Sequence, residues 1–224
     1  MDFQYIALLL PQLAEGLLVT VKLFAITIVI SIPLGLIVSL GRVSKFRPLQ
    51  WIISAYLWVF RGTPLMLQLF FVYFGLPSIY IAGASISFEA FPAAVIAFVL
   101  NYAAYFAEIF RGGILSVNKG QYEASKALGF TSWQTMRYIV VPQMIRTVIP
   151  PVANETITLV KDTALASVIS IIDLLKKAQE AVARDANVTA YLVVAVFFLA
   201  ITFVLTMLFH YVERRFAITA QEGQ

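Results

Sequence analysis

Glu108, Glu155 and Asp162 lie within or at the edge of long apolar runs, and each has polar neighbours at helical spacing. Asn101, Tyr105 and Glu108 follow at i, i+4 and i+7, and Glu155, Thr158 and Asp162 at i, i+3 and i+7. On α-helices each trio shares one face. An ionised group inside a bilayer costs on the order of a few kcal/mol, so it turns to a partner or to a wet cavity. Two such stripes on consecutive helices point to a common cavity. Glu108 and Glu155 can receive an ammonium, and Asn101, Tyr105 and Thr158 can donate to a carboxylate. A second reading leaves these residues to the fold: Glu108 pairs with Arg111 one turn on, Asp162 pairs with Lys161 or with solvent, and Glu108 and Glu155 brace a subunit interface. Both readings are open at this level. Arg61 adjoins Gly62-Thr63-Pro64, where a structural role is expected.

Other chemistries find little support. There is no cysteine, which excludes disulfides and thiolate metal sites. His210 is the single histidine, at the end of an apolar run beside Arg214 and Arg215. A metal would need further ligands, so no metal is expected and His210 reads as interfacial. Neither a Gly-x-x-x-x-Gly-Lys-Ser/Thr phosphate loop nor a His-Glu-x-x-His or Gly-x-Ser-x-Gly motif occurs. The chain is expected not to be an enzyme, and any ATP hydrolysis belongs to a separate chain.

The elements that must position the polar stripes are membrane helices. Of the 224 residues 61% are apolar and only 12% charged, about half the charge of a soluble domain, so the surplus apolar surface must face lipid. Five stretches reach the ~20 residues a span needs: Gly16–Leu40, a segment within Trp51–Leu76, Phe88–Phe110, Ile139–Val160 and Val188–Tyr211. The expected fold is therefore all-α and integral to the membrane, one transmembrane domain over residues 1–224. Lys22, near the start of the first span, reaches the interface by snorkelling. Pro33, Pro64, Pro150 and Pro151 fall in spans, where each removes a backbone donor and can kink its helix. Arg42, Lys45 and Arg47, then Arg111, Lys119, Lys126 and Arg137, then Arg214 and Arg215 fall on one side of a five-span chain. That side is cytoplasmic and the N-terminus is outside. Lys176, Lys177 and Arg184 would sit on the wrong side, so Ala164–Ala186 is expected to be a re-entrant or interfacial helical pair. Met1–Ile6 carry Asp2 and no basic residue, and no removable signal peptide is read there.

The longest cytoplasmic loop, 112–138, reads Gly120-Gln121-Tyr122-Glu123-Ala124-Ser125-Lys126-Ala127-Leu128-Gly129, then nine residues, then Ile139-Val140-Val141-Pro142. Gln121–Leu128 predicts a short helix, Gly129 its stop, Thr131 or Ser132 the cap of a second helix, and Pro142 an interruption of that helix. The pattern Glu-Ala, Gly and Ile-x-x-Pro resembles the EAA loop of ABC importer permeases, with Ser125 where a second alanine is common. Arg61-Gly62-Thr63-Pro64-Leu65 through Phe74-Gly75-Leu76-Pro77 resembles the polar amino-acid (histidine/glutamine/arginine-type) branch of that family. So do Ala107-Glu108-Ile109-Phe110-Arg111-Gly112-Gly113 and Asn154-Glu155 through Lys161-Asp162.

The resemblance covers nearly the whole chain and implies a type I ABC importer permease in a bacterial inner membrane. Two permease subunits, identical or related, would enclose one path. A helix of each loop (Glu123, Ala124, Ser125, Ala127, Leu128 and Gly129) would dock on a cytoplasmic ABC ATPase dimer. An extracytoplasmic amino-acid-binding protein would deliver substrate. ATP and magnesium would be held by the ATPase, leaving no cofactor in this chain. The acidic stripes favour a basic amino acid. The alternative function is an ion-coupled carrier or channel that works without an ATPase.

Overall fold

A computed structural model describes residues 3–81 and 84–221; Asp2, used above in reading the N-terminus, lies outside the described residues. The chain is helical throughout except for a two-residue antiparallel pairing of Tyr80–Ile81 with Ala84–Ser85. Helix α1 runs Phe3–Val43, 41 residues with Pro11 and Pro33 inside it. At 1.5 Å per residue it is about 60 Å long, twice the ~30 Å hydrocarbon thickness. It thus extends well beyond Gly16, where apolar composition alone begins the span. Its buried positions are largely small or hydroxylated: Gly16, Thr20, Thr27, Ser31, Gly35 and Ser39. That stripe lets α4 (Ala90–Ser116) approach closely, as small residues do between membrane helices. A Cβ on Gly35 would lie 2.7 Å from the Phe106 Cβ.

The second span is broken. α2 (Arg47–Gly62) and the helical stretch from α3 (Leu65–Phe70) to Ser78 meet at an angle of 107°. Pro64 cannot donate, and the residue before it is pushed to extended backbone; Thr63 adopts φ −120°, ψ 145°.

After α4 come α5 (Lys119–Ala127) and α6 (Ser132–Thr135). α6 passes through a wide π-turn, Met136–Val140, straight into α7 (Val141–Asp162). Pro142 therefore does not interrupt the helix as its type predicts. It stands in the first turn of α7, where a missing N–H is tolerated, and the wider turn ahead of it is the kind of local adjustment that keeps a helix continuous. Pro150 and Pro151 are likewise carried inside α7.

Residues Thr163–Ile169 form a tight 3-10 segment, followed by α8 (Leu174–Asp185) and α9 (Thr189–Gln221). Two of the three bases that contradict the charge rule, Lys177 and Arg184, have polar partners here. Lys177 Nζ donates to Glu15 Oε2 at 2.7 Å. Arg184 bonds both oxygens of Asp185 at 2.7 and 2.8 Å and reaches Gln12 Oε1 at 3.1 Å. α8 is thereby laced to the N-terminal part of α1, and Leu9, Leu13, Leu174, Ala178, Ala181, Ala190 and Val194 form a core among α1, α8 and α9. The larger core gathers α1, α3, α4, α7 and the 3-10 segment around Phe98, Tyr102 and Phe106. α1, α4 and α9 are long and apolar enough to cross a membrane, and the bent pair makes a fourth. α7 carries Arg146, Glu155, Lys161 and Asp162 and is the least apolar of the long helices.

Candidate functional site

Two sites emerge. The first is a polar cluster at the break in the second span. Gln68 donates from Nε2 to the Phe60 carbonyl (2.9 Å), the Thr63 carbonyl (3.1 Å) and Thr63 Oγ1 (2.9 Å). Asn101 of α4 donates from Nδ2 to the same Phe60 carbonyl and to Gln68 Oε1, each at 3.0 Å. The carbonyls freed by the break are thus satisfied inside the protein, as a low-dielectric setting demands. Below them Glu108 is forked by Arg111, with contacts of 2.8 to 3.1 Å. Arg61 lies 3.9 Å from the same carboxylate, its guanidinium 5.5 Å from the centre of the Tyr105 ring. Arg42, Ser54, Trp58, Arg61, Gly62 and Glu108 border a cavity of about 400 Å³.

The stripe on α7 is placed differently. Asp162 accepts from the hydroxyl of the buried Tyr102 at 2.7 Å. Thr158 Oγ1 bonds back to the Asn154 carbonyl at 3.0 Å. Glu155 is half-buried, and among the described residues no ion pair includes it. The cavity is lined by Glu108 of the first trio and by none of the second. Lys22 lies 4.9 Å over the Phe91 ring at the start of α4. Gln68 and Tyr102 escaped the sequence reading. A lone glutamine in Leu65–Phe70 was a usable signal; Tyr102, one residue from Asn101 and off its face, offered none.

The second site is the knob formed by α5 and α6. The Asn118 side chain caps α5 by accepting from the Gly120 N–H at 2.8 Å. α5 ends as predicted: Gly129 takes φ +78°, its N–H reaches the Lys126 carbonyl, and the Phe130 N–H reaches the Ser125 carbonyl. Those are the two bonds of a Schellman close, and glycine adopts the left-handed turn without a Cβ penalty. Thr131 and Gln134 form a capping box on α6. Buried Ser125 is the rivet: it donates to the Tyr122 carbonyl at 2.9 Å and accepts from Thr135 Oγ1 at 3.0 Å. Tyr122 ties the knob to α4 through the Ile114 carbonyl at 3.2 Å, and burial pushes its phenol up from the ordinary value. Glu123, Ala124, Ala127, Leu128 and Gly129 are all exposed. Leu128 is 75% and Trp133 68% accessible, a large apolar tip on an otherwise polar loop.

Residues 31–218 match the family of binding-protein-dependent transport system inner membrane components. The chain is 42% identical over 207 residues to the L-cystine transport system permease protein TcyB of Bacillus subtilis, covering 92% of this chain and 86% of that one. It is 39% identical over 216 residues to the arginine transport system permease protein ArtQ of the same organism (96% and 97% covered). It is 35% identical over 210 residues to the glutamine transport system permease protein GlnP of Escherichia coli (93% and 94% covered). A crystal structure of an amino acid ABC transporter with histidines contains a similar chain, at TM-score 0.87 and 35% identity, covering 96% of this chain and 99% of that one.

Proposed function

Because the chain belongs to the family of binding-protein-dependent transport system inner membrane components, we propose that it carries polar amino acids, with a preference for basic ones, through the membrane as the permease subunit of an ATP-driven importer. The observation that carries the reading is the knob. A rigid, doubly capped helix-turn-helix ends in exposed Leu128 and Trp133, and an apolar tip of that size on a polar loop fits a groove on a partner chain. The partner is a cytoplasmic ABC ATPase that binds this knob around Glu123, Ala124, Ala127, Leu128 and Gly129, with Ser125 holding its shape. A second permease copy or a related chain completes the path, and an extracytoplasmic amino-acid-binding protein loads it.

Five crossings are reached by adding α7 to α1, the bent pair, α4 and α9; with the basic loops on the cytoplasmic side, the N-terminus is outside and the knob in the cytoplasm. α7 is tolerated as a span because its ionisable face is turned to protein or to the path. Tyr105, Glu108, Glu155 and Thr158 are the polar lining of that path; Asn101 and Asp162 support it through Gln68 and Tyr102. The lean toward basic substrates rests on Glu155, a carboxylate without a basic partner among the described residues.

The test is uptake of a labelled amino-acid panel into proteoliposomes holding this chain and its ATPase, with ATP inside and the binding protein outside. Uptake of arginine, lysine or histidine that needs ATP and falls at least about tenfold in Leu128→Ser is the expected result. Uptake restricted to glutamine or glutamate removes the basic preference and keeps the importer. Uptake without ATP or ATPase overturns the importer in favour of a carrier.

A further inference from the structure

Trp133, Arg137, Val141 and Met144 follow one another at steps of four, four and three residues, the spacing of one helix face. The π-turn Met136–Val140 carries that face from α6 into α7, and such turns recur at functional sites. The face borders a cleft of about 240 Å³ where the C-terminal ends of α1 and α4 meet the start of α7. Leu36 and Leu40, in the last two turns of α1, line it and are exposed. Ile114, in the last turn of α4, and Met144, in the first turn of α7, are buried beneath it. Among the described residues Arg137 is the only charged group on its border. We propose that this cleft binds an anionic phospholipid, one acyl chain lying in the cleft and the phosphate on Arg137. The site goes beyond the transport reading and takes from it only that the cleft faces the cytoplasmic leaflet.

Arg137 is exposed, and among the described residues no ion pair includes it. Its guanidinium lies 5.9 Å from the centre of the Tyr138 ring, a contact that uses the face of the cation and leaves its N–H donors free. That planar fork can meet a phosphate with two donors at once. Trp133, exposed on the same border, has the amphipathic ring that settles at headgroup level. Volume argues against a free solute, because the cleft is smaller than the roughly 300–1,000 Å³ of small-molecule pockets. A lipid needs only a furrow for one chain, and the rest of it stays in the bilayer. Charge argues against a neutral lipid and against an apolar protein segment. A cation with no acid beside it, at the mouth of an apolar furrow, calls for a chain with a negative head, and basic pockets between helices on the cytoplasmic side select such lipids. A chain in the cleft also meets the footing of the knob: the Ile114 carbonyl accepts from the Tyr122 hydroxyl at 3.2 Å, and Trp133 belongs to α6.

The permease–ATPase complex is placed in nanodiscs of phosphatidylcholine that carry a minor fraction of photoactivatable lipid. That lipid is either phosphatidylglycerol or phosphatidylcholine, with the same diazirine-bearing acyl chain, and the labelled peptides are mapped after illumination. Phosphatidylglycerol is expected to label residues 36–40 and 136–144 about fivefold more than phosphatidylcholine does, the effect of one basic residue facing an anionic headgroup. Around Leu199 and Phe203 of α9, exposed apolar residues with no basic neighbour in sequence, the two lipids are expected to label alike. Arg137→Gln is expected to remove the enrichment. Lys45→Gln, which removes an exposed basic residue that does not border the cleft, is expected to keep it. Equal labelling of the cleft by the two lipids in wild-type protein overturns the proposal. So does an enrichment that survives Arg137→Gln, or one lost equally in Lys45→Gln, which marks surface charge alone. An unlabelled cleft also overturns it, as the sign that a second permease copy or the ATPase covers this face. The wild-type comparison stands even where Arg137→Gln fails to assemble. Failure of the transport reading shows separately, as absence of ATP-dependent uptake by wild-type proteoliposomes, and leaves the labelling result in place.

Discussion

At the residue scale, chemistry is set by which hydrogen bonds are already taken. Glu108 illustrates it: both sequence readings were available, and the structure gives its two oxygens to Arg111. Asp173 shows a different case. It lies between the long helices, caps α8 by accepting the Lys176 N–H at 2.8 Å through Oδ1, and is almost fully buried against α1 with Oδ2 unpartnered. Burial pushes its carboxyl up to about 6, against the pull of the hydrogen bonds from nearby backbone N–H groups. A folded-state value above the unfolded one means that protonation favours the fold. That gain is complete below the ordinary carboxylate range and is lost as pH rises through about 6. Asp173→Asn keeps a good cap and removes the charge. We expect it to melt several degrees above wild type at pH 8, equivalent to about 1–2 kcal/mol, and to match wild type near pH 4. Thermal unfolding in detergent at the two pH values checks this.

At the scale of elements, helix approach is decided by small residues and breaks are decided by polar ones. A Cβ on Gly113 would lie 2.3 Å from Val148 Cγ1, and one on Gly35 would press on Phe106. Gly35→Leu is therefore expected to separate α1 from α4 and to cut the yield of monodisperse, detergent-stable protein severalfold, whereas Gly112→Ala, with open space around its Cβ position, is expected to leave the yield unchanged. The break between α2 and α3 is an element of its own. It joins Asn101 and Gln68 to two freed carbonyls, and it delivers Arg61 to a cavity at the end of α2, where a cation also complements the helix dipole.

For the whole molecule, the pairing of α8 with α1 bears on how the charge rule fits the proposed five-crossing topology. Lys177 and Arg184 have acidic partners, and the Arg184 fork holds the Asp185 carboxyl below its usual range, so these bases weigh little in setting orientation. The proposed orientation is checked by reporter fusions: those at Ser116 and after His210 are expected to read cytoplasmic, and one after Ser87 extracytoplasmic. The opposite pattern would invert the molecule and remove the knob from the compartment that contains ATP.

Composition alone determined that the chain lives in a membrane, because 12% charge cannot clothe a soluble domain of this size. Local sequence also determined the knob. Gly129 and Thr131 act through their own backbone and nearest neighbours, so the turn, the stop and the cap could be read without a fold. Tertiary structure decided what those short-range rules cannot reach. Pro142 looked like a breaker and became part of a continuous helix, because a π-turn ahead of it takes up the distortion. Lys177 and Arg184 looked misplaced until Glu15, Gln12 and Asp185 were brought to them across more than a hundred and fifty residues in two of the three contacts. Asn101, expected as a donor to a carboxylate, is bonded to Gln68, which sequence did not single out. Helical spacing fixes which face a side chain occupies; only packing decides what that face meets.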